Sequence, residues 1–104
     1  MPRVAFRMEL LNGFEQEYKK RHDALWPELS QLLKNTGISD YSIYLDESTH
    51  SLFAQMTVED EERLAQLPSH PVMQKWWKHM SDIMKTNPDH SPVVTPLKQV
   101  FYLP

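Results

Sequence analysis

Hydrophobic and polar residues alternate from Arg3 to Leu10: Val4, Phe6, Met8 and Leu10 point one way, and Arg3, Arg7 and Glu9 the other. A period of two with one apolar face is the pattern of a half-buried strand. Asn12-Gly13 marks a turn, and the period then lengthens. Phe14, Tyr18, His22, Leu25, Leu29, Leu32, Leu33 and Thr36 recur at helical spacing, which predicts a helix from Phe14 to about Thr36 with Tyr18 and His22 on its inward stripe. Pro27 lies inside that span, where it removes a backbone donor and crowds the preceding turn. A break is therefore expected between His22 and Pro27, with Asp23 capping the second piece and Gly37 closing it.

Tyr41–Asp46 and Ser51–Val58 alternate again and are joined by the polar segment Glu47–His50, which reads as a hairpin. Tyr41, Ile43 and Leu45 share one face of the first strand, and Leu52, Ala54, Met56 and Val58 one face of the second. Glu59–Leu67 reads as a short helix whose acidic start suits the helix dipole. After Pro68-Ser-His-Pro71, a further helix is predicted from Val72 to about Met84, carrying Trp76, Trp77 and Met80. Thr86–Pro96, with three prolines, is a loop, and Leu97–Leu103 a last apolar strand. The order β-α-β-β-α-β predicts an α+β, ferredoxin-like sandwich with helices on one face of an antiparallel sheet. The other face would carry Ala5, Tyr44, Phe53, Val100 and Tyr102, too apolar to leave in water. A second subunit packed sheet to sheet is the simplest cover, so a homodimer is expected.

Composition narrows the chemistry. A chain of 104 residues fits one domain, residues 1–104, with a core of its own. A net charge of −3 offers no attraction for phosphate backbones or anionic lipid, so neither nucleic acid nor membrane is an expected partner. With no cysteine, thiol nucleophiles, thiolate metal sites and disulfides are excluded. Two glycines, Gly13 and Gly37, cannot build a phosphate-cradling loop. No apolar run approaches a membrane span and no signal-peptide core opens the chain, so a cytoplasmic location is expected. The five histidines show no metal-binding spacing, and no metal site is expected.

His22 stands out as an imidazole on an apolar stripe, whose two ring nitrogens both need partners. It can serve as a general acid or base, because it titrates near neutrality, or it can be a core histidine bonded to a carbonyl freed by the break at Pro27. Trp76 and Trp77, roughly 100° apart around a helix, can be core filler, or one can line a wall as a platform for a sugar. Tyr18 and Tyr41 sit on inward faces, and each phenol needs a hydrogen-bond partner. One imidazole, two phenols and two indoles without a cofactor signature suit a neutral polyhydroxylated ligand and proton shuffling. A sugar-binding or scaffold dimer without catalysis stays open on these grounds, as does a cofactor-free oxygenase of the same fold.

Tyr18…Arg21-His22-x-x-x-Trp26-Pro27-Glu28-Leu29, Tyr41-Ser-Ile-Tyr-Leu-Asp46, Lys75-Trp76-Trp77-Lys78, Asn87-Pro88-Asp89-x-Ser91-Pro92 and Val100-Phe-Tyr-Leu-Pro104, in that order, resemble the L-rhamnose mutarotase family from end to end. The resemblance implies a cofactor-free sugar isomerase that interconverts the α- and β-anomers of L-rhamnose, built as a dimeric α/β barrel of two subunits. It further implies His22 as the proton donor, with Tyr18, Tyr41, Trp76 and Trp77 contacting the sugar. Ala24 departs from the family's pattern, where proline is common, and His90 replaces a small polar residue; neither is a site position.

Overall fold

In the computed structural model, which describes residues 2–104, strand β1 (Arg3–Glu9) lies inside the sheet. It pairs antiparallel with β3 (Ser51–Val58) on one side and with the two-residue β4 (Thr95–Pro96) on the other. The second strand, β2 (Ile38–Asp46), pairs antiparallel with β3 and completes the order β2-β3-β1-β4. Register decides which residues share a face. Val4 faces Met56, Phe6 faces Ala54 and Met8 faces Leu52, with Ile43 and Leu45 continuing the rows onto β2. This is the inner face. Its residues pack with Leu29 of α2 (Pro27–Asn35), with Met73, Trp76 and Met80 of α4 (Pro71–Met80), and with Ile83. The sandwich is the expected α+β arrangement, and α1 (Glu15–Asp23) and α3 (Glu61–Gln66) complete its helices.

The expected break is present, with a different cap. Asp23 is the last residue of α1 rather than the cap of α2. Trp26 takes that place with φ −59° and ψ 131°, and Pro27 occupies the first turn. The reason is steric: a residue before proline is pushed to extended backbone, and proline at the first helical position gives up a donor that would be unpaired there anyway. Thr36 closes α2 and Gly37 follows at φ +88°, as expected of a glycine after a helix. A side chain at Gly37 would also meet Glu59, whose Cβ lies 3.0 Å from the position a Cβ would take.

Two other boundaries move. β2 begins at Ile38 rather than Tyr41, because the pairing register shifts between Ser39 and Ser42. Asp40 sits in this irregularity at φ 49°, a left-handed conformation that aspartate tolerates better than most residues. The helix expected to reach Met84 stops at Met80. The backbone beyond it is claimed by the end of β1: Leu11 donates to Ile83 (2.9 Å), Lys85 donates to Glu9 (2.9 Å), and Leu10 bridges Met84.

The strand expected over Leu97–Leu103 does not form within the single chain. After Leu97 donates to Ala5 (3.0 Å) the backbone leaves the sheet edge. Pro96 has no N–H to extend the ladder. Val100 is 89% exposed and Phe101 77%. The tail returns at Tyr102, whose ring lies 4.2 Å from the Arg3 guanidinium carbon. The outer sheet face does carry Ala5, Tyr44 and Phe53, but Val100 and Tyr102 lie on this tail, and Arg3, Arg7 and Gln55 share the face with them.

Candidate active site

α1 presents Tyr18 and His22 one turn apart on the face turned toward α4. The two rings stack with centroids 4.4 Å apart and planes at 28°. His22 also meets the indole of Trp76 edge to face at 5.4 Å. Its Nδ1 lies 3.0 Å from the backbone oxygen of Tyr18. A carbonyl only accepts, so Nδ1 carries the hydrogen, and Nε2 is the nitrogen left to exchange a proton with a ligand. This geometry is compatible with either reading of His22. One nitrogen is satisfied by backbone, through a carbonyl one turn back rather than one freed at Pro27, and the ring still borders a cavity.

Burial lowers the His22 pKa below the ordinary 6.5, while the bond to Tyr18 and the charge of Asp23 oppose that shift. The phenols are driven the other way. Tyr41 keeps 38% of its surface exposed, yet burial of its hydroxyl end pushes its pKa up to about 12. Tyr18 is raised by burial and then by the nearness of Tyr41, because ionising one phenol beside the other is unfavourable. Neither phenol is a base at neutral pH. Both are suited to give and accept hydrogen bonds with neutral hydroxyls.

Tyr18, His22, Tyr41, Trp76 and Trp77 all border one cavity, between the inner face of the sheet and the helices. The irregularity at Asp40 immediately precedes Tyr41, the kind of local bend that re-aims a strand side chain. Trp76 is 6% exposed and belongs to the core, whereas Trp77 is half-buried at its edge. Adjacent positions on α4 therefore place one indole against His22 and the other along the wall. The loop from Asn87 to Pro92 borders the same cavity. Among the described residues no carboxylate bonds to His22. Two of those around the cavity are engaged elsewhere, Asp23 with Lys19 (2.8 Å) and Glu15 with His50 (3.1 Å).

Sequence reasoning assigned no role to Trp26 or His79. Trp26 meets Trp76 edge to face at 5.1 Å, and the His79 ring lies 5.5 Å from Trp26 and 5.6 Å from Trp76. The cluster buttresses Trp76 from behind. Its only sequence signal was an indole just before Pro27, where extended backbone throws the side chain off the helix axis. Two other histidines have structural partners: His70 caps α4 by accepting from the Val72 amide at 3.2 Å, and His50 joins the hairpin turn to α1.

Known proteins match this chain along its whole length. The family profile described as L-rhamnose mutarotase covers residues 3–103. An L-rhamnose mutarotase of Brucella anthropi is 58% identical over 98% of this chain and 96% of its own. One from Sinorhizobium fredii is 57% identical over 99% of both. The crystal structure of L-rhamnose mutarotase FA22100 from Formosa agariphila superposes with a TM-score of 0.93 at 50% identity, covering 100% of both chains. Rv0793 of Mycobacterium tuberculosis, 13% identical with a TM-score of 0.58, shares the fold alone. An imidazole, phenols and indoles gathered in one cavity, and likeness of this extent in sequence and structure, lead to one assignment: the chain belongs to the L-rhamnose mutarotase family.

Proposed function

We propose that this chain is an L-rhamnose mutarotase, interconverting the α- and β-anomers of L-rhamnopyranose by acid/base-catalysed ring opening and reclosure. The observation that carries the reading is His22, with Nδ1 tied to the Tyr18 carbonyl and its ring bordering a cavity shared with Tyr41, Trp76 and Trp77. Opening breaks the C1–O5 bond. The electron pair goes to O5, which takes a proton from His22 Nε2, while a water molecule takes the proton of the anomeric hydroxyl, whose oxygen becomes the aldehyde oxygen. Rotation about C1–C2 turns the other aldehyde face to the C5 hydroxyl, and the proton steps reverse on closure. Tyr18 and Tyr41 hold sugar hydroxyls, and an indole from Trp76 or Trp77 packs on the C–H face of the pyranose. Residues 1–104 work as one domain, with a neutral monosaccharide as substrate.

Saturation transfer between the α and β H1 signals of L-rhamnose tests the reaction directly. The protein is expected to accelerate exchange, and binding without acceleration would leave only a sugar-binding module. The pH profile tests the acid role. Because burial depresses the His22 pKa below 6.5, the protonated ring is the minority form at pH 7 and grows as pH falls. Exchange is therefore expected to rise as pH is lowered from neutrality and to level off below the depressed pKa. A rate that instead climbs with pH would make neutral His22, acting as a base, the working form.

The same reading includes a homodimer. Tyr44 is 64% exposed on the outer sheet face, and the tail carries Val100, Phe101 and Leu103 into solvent, each at least 76% exposed. A second copy that covers the outer face and gives the tail a strand partner would bury all of them. Sedimentation equilibrium is expected to give twice the 12.3 kDa chain mass, and truncation after Lys98 to shift it toward the monomer. A full-length monomer at micromolar concentration would overturn the dimer. Among the described residues no helix is long and apolar enough to cross a membrane, and the use of a free monosaccharide fits a cytoplasmic location.

A further inference from the structure

Arg21 is placed beside the site, yet it does not point into it. Four residues after Glu17 and one before His22, its side chain is only 15% exposed and reaches from α1 to the end of α4. Nε donates to Glu17 Oε2 at 2.8 Å. Nη1 donates to the His79 carbonyl at 2.6 Å and to Asp82 Oδ1 at 2.8 Å, and Nη2 donates to Asp82 Oδ2 at 3.3 Å. The two-pronged grip on Asp82 fixes direction as well as distance, which a lysine cannot do. The His79 carbonyl is one of the last four of α4, which lack partners within the helix, so Arg21 also caps that end.

α1 needs such a tether. It is nine residues long, ends at the break before Pro27, and buries only Tyr18. One buried residue sets a helix's depth and leaves its rotation about that point weakly determined. The edge contact between His22 and Trp76 spans the same two helices that Arg21 joins. Hydrogen bonding to Arg21 holds the Asp82 carboxyl below its usual range, so the clamp stays ionised through neutrality.

We propose that Arg21 is a positioning residue. By clamping α1 to the end of α4 through Asp82 and the His79 carbonyl, it holds the His22 imidazole against Trp76 in the orientation that proton transfer requires. The inference rests on His22 being the proton-transferring group. Small displacements of a reacting group cost about 10²-fold in rate. Arg21→Gln is expected to melt cooperatively, to lose about that factor in kcat with KM little changed, and to shift the His22 Hε1 titration midpoint up toward 6.5 as the ring gains water. Arg21→Lys, which restores the charge and not the fork, is expected to recover part of the loss. Asp82→Asn, altered at an exposed side chain, is expected to move kcat and midpoint the same way by less. The groups on α1 that act on that midpoint, Asp23 and Tyr18, are unchanged in these variants; loss of the Arg21 charge alone would raise the midpoint and loss of the Asp82 charge alone would lower it, so a rise in both variants marks the released ring.

A wild-type kcat and a wild-type His22 midpoint in Arg21→Gln would overturn the proposal, whatever the loss in melting temperature. If Arg21→Gln does not fold, the same two values in Asp82→Asn decide it. The His22 titration is read without turnover, so a shifted midpoint in a family of variants whose wild type shows no exchange would sink the catalytic reading and leave the positioning intact.

Discussion

Replacing His22 by alanine is expected to cut α/β exchange of L-rhamnose by ~10²–10⁴-fold, the range that a positioned general acid contributes. The loss falls on the chemical step, so sugar binding, followed by broadening or by quenching of indole emission, is expected to persist. The fold should survive. His22 lies in the last turn of a short helix, alanine is the best helix former, and the substitution leaves the Tyr18 carbonyl with its helical bond. What disappears is a stacked ring over Tyr18 and an edge contact to Trp76, pairs worth about 0.5–1.5 kcal/mol each. A moderate fall in melting temperature beside a collapse in exchange is therefore the signature of a catalytic imidazole. Wild-type exchange in a folded His22→Ala protein would remove the imidazole from the mechanism. The tyrosines could not then replace it as bases, since burial holds both phenols protonated at neutral pH.

Much of this arrangement was legible in the chain, and the parts that were not share a cause. Alternation in β1 and β3 fixed which side chains face the helices, because the sheet period is two and a slip would turn every residue over. Tyr18 and His22 followed from a helical period, and the break followed from Pro27. These are local rules. Carboxylates favour a cap position, which points to Asp23, but the constraint that proline places on the residue before it gives the position to Trp26. The apolar run Leu97–Leu103 predicts a last strand, but apolarity states only that a segment needs covering, not that its own chain covers it. Trp26 behind Trp76, and Arg21 reaching Asp82 across 61 positions of sequence, are long-range contacts that no window of residues displays. Residue types and the resemblance could single out the candidate residues, while the parts that hold them in place required the fold.

The largest effect on stability is expected at Trp76. Its indole is 6% exposed, sits in the main core with Leu29, Met73, Met80 and Ile83, and takes edge contacts from both His22 and Trp26. Trp76→Ala would remove the transfer energy of a large ring and leave a hole that neighbours on two helices and a sheet cannot collapse to fill. Such truncations cost about 3–5 kcal/mol, a large part of the stability of a domain of this size. Urea titration followed by far-UV circular dichroism should show the unfolding free energy falling by that amount. Trp76→Phe separates packing from chemistry. It keeps a ring for His22 and Trp26 to abut and loses the indole N–H, so most stability should return. If exchange returns with it, Trp76 acts by holding the imidazole; if exchange stays low in a stable protein, the indole meets the sugar itself. Trp77→Ala supplies the contrast, since a half-buried ring at the core's edge should cost far less stability. Equal losses from Trp76→Ala and Trp77→Ala would contradict the burial difference on which the assignment of the two indoles rests.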